Sequence, residues 1–315
     1  MNTPEQFPVE PREDSRRPEN QAHSESEGEQ APIDSPAEQA GGTFAGFPLD
    51  ESAERPPAEL IEPQYPSDLR VPWSGKDITL FFLFYLLSPV VLAVPMLIFA
   101  AAARHQDINA LMKDMPAQAT LSIIAQAAAA LLSLGYLWVL AKARSASPFW
   151  ESIGWKSLPD DQSARRKLIF TIIVGGIALA GIVTAVSNRI GVSKKLPIEE
   201  LIQTRQTMIL LMTFGVLVAP LVEETVFRGL IYPVIARRSG VAASIIITGL
   251  LFGAVHSLQL WGGWAQIGLI VLVGVILTWV RATRHTVWAS YLLHLTYNST
   301  LFLGAFFATG GFRHM

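Results

Sequence analysis

Residues 79–103 read TLFFLFYLLSPVVLAVPMLIFAAAA and contain no charged side chain. An α-helix of this length crosses the roughly 30 Å of hydrocarbon in a lipid bilayer. Further apolar segments of roughly 18 to 25 residues recur through the rest of the chain, and this is the length that a transmembrane helix needs. We therefore predict an all-α fold, a polytopic membrane helix bundle.

The apolar segments predict about seven transmembrane helices. The expected spans are residues 77–103, 117–141, 167–187, 207–231, 241–258, 264–281 and 286–308. The composition of the whole chain agrees, because 50% of its residues are hydrophobic and only 16% are charged. Soluble domains carry about 25% charged residues.

The N-terminal part of the chain differs in composition from the rest. Residues 1–70 are rich in Pro, Glu, Ser, Gln and Gly, and they carry 16 acidic and 5 basic side chains, a balance of −11. The remaining residues carry 10 acidic and 19 basic side chains, a balance of +9. Such a polar segment buries too little apolar surface to offset the entropy of ordering it. We expect a disordered acidic tail over residues 1–70 and a transmembrane domain over residues 71–315.

The positions of lysine and arginine predict how the helices are oriented, because cytoplasmic loops are enriched in these residues. The expected cytoplasmic loops are residues 142–167, 232–240 and 281–285. The loop at 257–264 has no charge and fits the outside. This topology places the N-terminus in the cytoplasm, in a bacterial inner or plasma membrane. Arg189, Lys194 and Lys195 disagree with it, since they lie in a loop assigned to the outside.

The composition disfavours two kinds of function, chemistry that depends on cysteine and the binding of nucleic acid. The chain has no cysteine, which excludes disulfides, a thiol nucleophile and cysteine-ligated zinc. Basic and aromatic residues are not interleaved as in nucleic-acid-binding segments, so no nucleic-acid partner is expected. The expected partner of the transmembrane domain is the lipid bilayer that surrounds it.

Ionisable residues appear inside the fourth predicted span, in the stretch LVEETVFRGL at residues 221–230. A charged group at bilayer depth costs at least about 2.5 kcal/mol, so such residues usually pair and mark a functional site. Glu224 and Arg228 are four residues apart and can form an ion pair on one helix face. Glu223 points about 100° away and has no local counter-charge. The alternative is an ion pair at a helix end, with Arg228 snorkelling to the interface.

Two further apolar spans carry polar pairs at the same spacing of four residues. Phe252 and His256 lie in the fifth predicted span, and His294 and Asn298 lie in the seventh. Taken singly, each pair could be a core histidine or an interhelical hydrogen bond. If the three helices pack together, the polar groups converge into a site with a base, imidazoles and oxyanion donors. Those are the components needed for acyl transfer to water.

These residues resemble the motifs of the CAAX-protease and bacteriocin-processing family, also called the Abi family. That family is marked by Glu-Glu-x-x-x-Arg, Phe-x-x-x-His and His-x-x-x-Asn or Asp. The chain contains all three in that order, as Glu223-Glu224-x-x-x-Arg228, Phe252-x-x-x-His256 and His294-x-x-x-Asn298. The resemblance covers about residues 205–305, which would form the catalytic core.

The resemblance implies an intramembrane endopeptidase related to the type II CAAX prenyl endopeptidase. It implies that Glu223 is the general base that activates a water molecule, with help from His256. His294 and Asn298 would hold the oxyanion of the tetrahedral intermediate. Glu224 and Arg228 would orient the site. The implied substrate is a membrane-associated peptide or lipidated protein, either a prenylated CAAX type or a leader-bearing precursor.

Two questions stay open at this point. The enzyme could be a metallopeptidase with zinc held by Glu223, His256 and His294, or it could need no metal, since the chain lacks a His-Glu-x-x-His motif. The main alternative function is a non-catalytic bacteriocin-immunity factor or scaffold of the same family. A proton-coupled transporter also buries such residues, but the sequence shows no internal repeat.

Overall fold

The computed structural model describes residues 65–191 and 196–311. All regular secondary structure in these two ranges is helical, with no strand. The all-α prediction is therefore confirmed. Most of the predicted tail, residues 1–64, lies outside the described residues.

Ten α-helices follow one another in the described chain. They are α1 (Gly75–Ala103), α2 (Ile108–Leu111), α3 (Met115–Arg144), α4 (Phe149–Ser152), α5 (Gln162–Ile190), α6 (Arg205–Thr213), α7 (Ala219–Glu224), α8 (Tyr232–His256), α9 (Trp264–Arg284) and α10 (Val287–Ala308). A 3₁₀ turn at Pro197–Leu201 precedes α6. Two π-helical segments, Phe214–Val218 and Thr225–Ile231, flank α7.

Five described segments are long and apolar enough to cross a membrane. They are α1, α3, α5, the mostly helical segment Arg205–His256 and α9. The chain is thus an integral, multi-pass membrane protein, but the predicted count of seven spans is not confirmed. Two predicted spans fall within Arg205–His256, where Gly240 (φ 79°) interrupts the helix. The last predicted span coincides with α10, which is not among the five segments.

Short polar residues fix where several of the long helices begin. The Asp114 carboxylate accepts a hydrogen bond from the Ala117 N–H at 3.1 Å, at the start of α3. Asp161 caps α5 in the same way, through the Ala164 N–H at 2.6 Å. Such caps satisfy backbone N–H groups that have no partner within the helix. The sequence therefore sets these boundaries locally.

Glycines bring α8 and α9 into close contact. A Cβ atom at Gly249 would lie 2.8 Å from the Val275 backbone nitrogen, and one at Gly253 would lie 2.2 Å from Val271 Cγ2. Small residues four apart allow the backbones of membrane helices to approach closely. This contact fixes the position of Phe252, which lies on α8 beside Gly253 and is buried.

The residues just before α1 pack against the ends of later helices. Asp68 and Leu69 are buried, although they belong to the predicted tail of residues 1–70. The Arg237 guanidinium donates hydrogen bonds to the carbonyls of Val71 and Trp73 at 2.9 and 2.7 Å. We call this region, formed by residues 65–73, the loop 145–156 and the C-terminal end of α9, the basic end of the bundle.

Candidate active site

The helix that carries Glu223 and Glu224 is π-helical just before Pro220. The Ala219 N–H bonds to the Phe214 carbonyl, five residues back, so the helix is locally widened. The next residue is Pro220, which has no N–H to offer the Gly215 carbonyl. The Asn298 Nδ2 atom of α10 donates to that carbonyl at 2.7 Å. The irregular segment is thereby tied to α10, which also carries His294.

Glu224 and Arg228 form a completely buried ion pair. The Arg228 Nη1 atom lies 3.0 Å from Glu224 Oε1, and neither side chain is exposed to solvent. The spacing predicted this pair, and the burial of Arg228 rules out the alternative of snorkelling to the interface. Arg228 Nη2 also donates to the Gly274 carbonyl at 2.8 Å, and its guanidinium lies 4.7 Å from the centre of the Phe252 ring.

His294 links this buried pair to Glu223. Its Nδ1 atom lies 2.9 Å from Glu224 Oε1, and its Nε2 atom lies 3.8 Å from Glu223 Oε2. A carboxylate oxygen only accepts hydrogen bonds, so the proton on Nδ1 is assigned from its partner. In the neutral imidazole, Nε2 then presents a lone pair towards Glu223.

His256 approaches Glu223 from α8 in the same manner. Its Nδ1 atom lies 2.7 Å from the Phe252 carbonyl, and its Nε2 atom lies 3.8 Å from Glu223 Oε1. The carboxylate is therefore held between the Nε2 atoms of two histidines from different helices. A gap of 3.8 Å is too long for a direct hydrogen bond, but a water about 2.8 Å from both atoms would bridge it.

Glu223 lies in the wall of a cavity of about 300 Å³. The side chain is 16% exposed, whereas that of Glu224 is fully buried. The wall also contains His256, His294 and Asn298. Its apolar part comprises residues such as Ile198, Ile202, Met208, Phe214, Leu301 and Phe302. This arrangement exposes one carboxylate to a mainly apolar chamber and keeps the other out of it.

Five of the six predicted site residues are linked through Glu223 and Glu224 by contacts of 2.9 to 3.8 Å, and Asn298 joins them in the cavity wall. Asn298 shares the cavity wall, but one of its two amide hydrogens is engaged by the Gly215 carbonyl. Its expected role as an oxyanion donor would have to use the other hydrogen.

Sequence reasoning missed two features of the site. Gln126 of α3 lines the cavity and accepts a hydrogen bond from Gln259 at 3.3 Å, although it lies outside residues 205–305. Helix α3 is rich in alanine and contains two glutamines, Gln118 and Gln126, and nothing local distinguishes Gln126. The pair Gly249 and Gly253 was also missed, and the Gly-x-x-x-Gly spacing in an apolar helix could have revealed it.

The alternative of a zinc ion held by Glu223, His256 and His294 gains no support from this arrangement. Within residues 65–191 and 196–311, no group of three or more His, Asp or Glu side chains could hold a metal ion. The Nε2 atoms of His256 and His294 face different oxygens of Glu223, each at 3.8 Å.

A comparison with protein-family models identifies the part of the chain that carries this site. Residues 205–300 match the model described as "Type II CAAX prenyl endopeptidase Rce1-like". The match confirms the family resemblance and is consistent with the CAAX-protease and bacteriocin-processing family. It supports a protease and covers all six site residues. No curated protein and no solved structure matches the chain significantly.

Proposed function

We propose, on the premise of this family match, that the chain is an intramembrane endopeptidase. It hydrolyses a peptide bond of a membrane-associated peptide or lipidated protein, of the prenylated CAAX type or with a leader segment. The observation that carries the proposal is the Glu223 carboxylate, which lies in a cavity wall between the Nε2 atoms of His256 and His294 at 3.8 Å each.

Glu223 acts as the general base. It takes a proton from a water molecule while the water oxygen forms a bond to the carbonyl carbon of the peptide. The carbonyl π electrons move to the carbonyl oxygen, which becomes an oxyanion. When the C–N bond breaks, Glu223 returns the proton to the leaving nitrogen, so the products are a carboxylic acid and an amine. His256 Nε2 accepts a hydrogen bond from the same water and orients it.

His294 and Asn298 stabilise the oxyanion from α10. Asn298 donates its free amide hydrogen to the oxyanion, and His294 Nε2 donates a second hydrogen bond when a proton taken from solvent occupies that nitrogen. Preorganised donors of this kind typically contribute about 10²- to 10³-fold to the rate. The two residues lie one helical turn apart, so both can face one substrate carbonyl.

Glu224 and Arg228 position the site without touching substrate. Glu224 accepts from His294 Nδ1, which fixes the orientation of the imidazole ring. Arg228 neutralises Glu224 in the apolar interior and ties it to α9 through the Gly274 carbonyl. The charge on Glu224 is thereby compensated, which leaves Glu223 as the carboxylate exposed to the cavity.

The proposal is tested with purified full-length protein in detergent or liposomes and a panel of fluorogenic peptides. The panel contains farnesylated, acylated and unmodified peptides of matched sequence, each assayed with and without a zinc chelator. Cleavage that resists the chelator supports the mechanism above. Cleavage that is lost with chelator and restored by zinc would replace it with a metallopeptidase mechanism. If no peptide is cleaved, the immunity or scaffold function becomes the better account.

A further inference from the structure

A second cavity lies at the basic end of the bundle, and none of the six active-site residues lines it. Its volume is about 170 Å³. The segment before α1 contributes Ser67 and Arg70, the loop after α3 contributes Ser152 and Lys156, and α9 contributes Arg281. We refer to it as the basic-end cavity. The mechanism proposed above makes no use of it.

Arg281 has a buried hydrogen-bond donor without an acceptor. Its side chain is 1% exposed, and Nη1 lies 2.9 Å from Asp68 Oδ2. Nη2 donates to the Asp68 carbonyl at 3.2 Å. The Nε atom has no hydrogen-bond partner among the residues that the structure describes. Leaving a charged donor unpaired in the interior is costly, so this atom favours a ligand that supplies an acceptor.

Gly154 lies against the edge of this guanidinium. Its φ of +88° favours glycine, and a Cβ atom there would lie 3.3 Å from Arg281 Nη2 and 3.8 Å from Nε. A side chain at this position would crowd the guanidinium. The backbone at Gly154 also accepts a hydrogen bond from the Val287 N–H at 2.9 Å, which holds the loop against the start of α10.

Lysine and serine side chains complete a set of donors around the cavity. Lys156 is half-buried, and its ammonium makes only a long contact, 3.4 Å, to the Ser67 hydroxyl. The lining contains three cationic side chains and two carboxylates, a balance of +1. The cations are Arg70, Lys156 and Arg281, and the carboxylates are Asp68 and Glu151. Guanidinium, ammonium and hydroxyl donors together suit the oxygens of a phosphate group.

Aromatic residues place this end of the bundle at the level of lipid headgroups. Trp150 and Trp288 are 46% and 39% exposed, and both contact the ring of the buried Trp155 at centroid distances of 5.5 and 4.9 Å. Exposed tryptophans mark the boundary between hydrocarbon and headgroups. Lys142 lies 5.1 Å from the Trp138 ring centre at the same end.

We propose that the basic-end cavity binds the phosphate ester group of an anionic phospholipid. The phosphate oxygens accept hydrogen bonds from the Arg70 guanidinium, the Lys156 ammonium and the serine hydroxyls, beside the positive charge of Arg281. Basic pockets between membrane helices bind anionic headgroups in this way. Asp68 keeps the Arg281 guanidinium in place, so the site is formed before the lipid arrives.

The test measures thermal unfolding of the full-length protein in a neutral detergent. The probes are dioctanoyl phosphatidylglycerol, dioctanoyl phosphatidylcholine, glycerol 3-phosphate and inorganic phosphate. A ligand that binds only the folded state raises Tm in proportion to the logarithm of its concentration. We expect phosphatidylglycerol to raise Tm at concentrations where phosphatidylcholine does not. If the two soluble phosphates raise Tm equally well, the site is a phosphate site but its ligand is not a lipid.

Substitutions test whether the rise in Tm with phosphatidylglycerol depends on the basic-end cavity. Lys156→Gln and Arg70→Gln are each expected to raise the phosphatidylglycerol concentration needed for the shift by about tenfold, the effect of losing one charged hydrogen bond. Arg284→Gln is the matched control. Arg284 is an exposed cation at the end of α9, the helix that carries Arg281, but it does not line the cavity. An equal loss in the control would show general attraction of anionic lipid to a basic surface and would overturn the proposal. So would the absence of any shift in the wild-type protein.

Discussion

Two carboxylates that are adjacent in sequence occupy opposite environments. Glu224 is fully buried and paired with Arg228 and His294, whereas Glu223 is 16% exposed to the cavity. The difference follows from helix geometry, since neighbouring residues point about 100° apart. One carboxylate can therefore maintain the structure while its neighbour meets a substrate. This separation is why an acidic pair, and not a single glutamate, suits the site.

Replacement of Arg228 by leucine should strongly destabilise the protein. The substitution leaves the Glu224 carboxylate buried without its counter-charge, and breaking a buried ion pair in this way costs about 3–5 kcal/mol. We expect a large drop in Tm in detergent, measured by intrinsic fluorescence. Arg205→Leu, at the exposed start of α6, is the control and should leave Tm nearly unchanged. A small effect of Arg228→Leu would show that the pair is not structurally important.

At the scale of single residues, the sequence predicted the set of polar groups but not all of their partners. Charges in apolar segments identified Glu223, Glu224 and Arg228, and the spacing of four residues predicted the ion pair. The Asn298 contact with the Gly215 carbonyl could not be predicted, because it joins residues 83 apart in the chain. Pro220 indicated a kink, but which helix supplies the missing hydrogen bond depends on tertiary packing.

Small residues bring two of the helices at this site into close contact. Gly249 and Gly253 of α8 lie against Val275 and Val271 of α9, and this contact aligns the helix that presents His256. Membrane helices gain little from hydrophobic burial against lipid, so close packing has a larger share in their association. The site therefore depends on residues that never touch a substrate.

Gly249→Ala should separate α8 from α9. The new methyl group would lie 2.4 Å from Val275 Cγ2 and 2.8 Å from the Val275 backbone nitrogen, so the helices must shift. Overpacking of this kind typically costs about 1–3 kcal/mol, and the shift should also lower peptidase activity. Gly268→Ala, in α9, is the control: its Cβ meets nothing within 4 Å, and alanine favours the helix. A Tm for Gly249→Ala equal to that of Gly268→Ala would refute the close contact.

In the whole molecule, the segment before α1 belongs structurally to the helical domain. Composition assigned residues 65–70 to the tail, because proline, serine and charged residues dominate the surrounding sequence. The burial of Asp68 and Leu69 depends on Arg281 and Tyr232, which are far away in the chain. The predicted number of spans is not confirmed. Hydropathy locates two apolar segments within Arg205–His256, and Gly240 interrupts the helix between them.

The contact between Asp68 and Arg281 predicts a pH-dependent contribution to stability. Burial raises the pKa of the Asp68 carboxyl, but hydrogen bonding and charge from Arg281, with His285, outweigh it and hold the pKa below its usual value. The resulting stability is present above about pH 4, the ordinary pKa of aspartate, and is lost as the pH falls through the lower pKa of the folded state.

Asp68→Asn should therefore lower Tm at pH 7, and its Tm should approach that of the wild-type protein as the pH falls below about 4. The measurement is Tm in detergent at several values between pH 7 and pH 3. Asp160→Asn, at an exposed position before α5, should match the wild-type protein at every pH. If the difference in Tm between Asp68→Asn and the wild-type protein stays constant from pH 7 to pH 3, the stabilising role of the Asp68 carboxylate is contradicted.

The most direct test of the central claim is kcat/KM for cleavage of one lipid-anchored fluorogenic peptide by Glu223→Gln. The substitution keeps the shape of the side chain and removes the base. Loss of general-base catalysis costs about 10²- to 10⁴-fold, so we predict a decrease of at least about 100-fold with Tm nearly unchanged. Glu200→Gln, an exposed change in the 3₁₀ turn before α6, should keep wild-type activity. If Glu223→Gln cleaves the peptide as fast as wild type, Glu223 is not the base and the proposed mechanism is wrong.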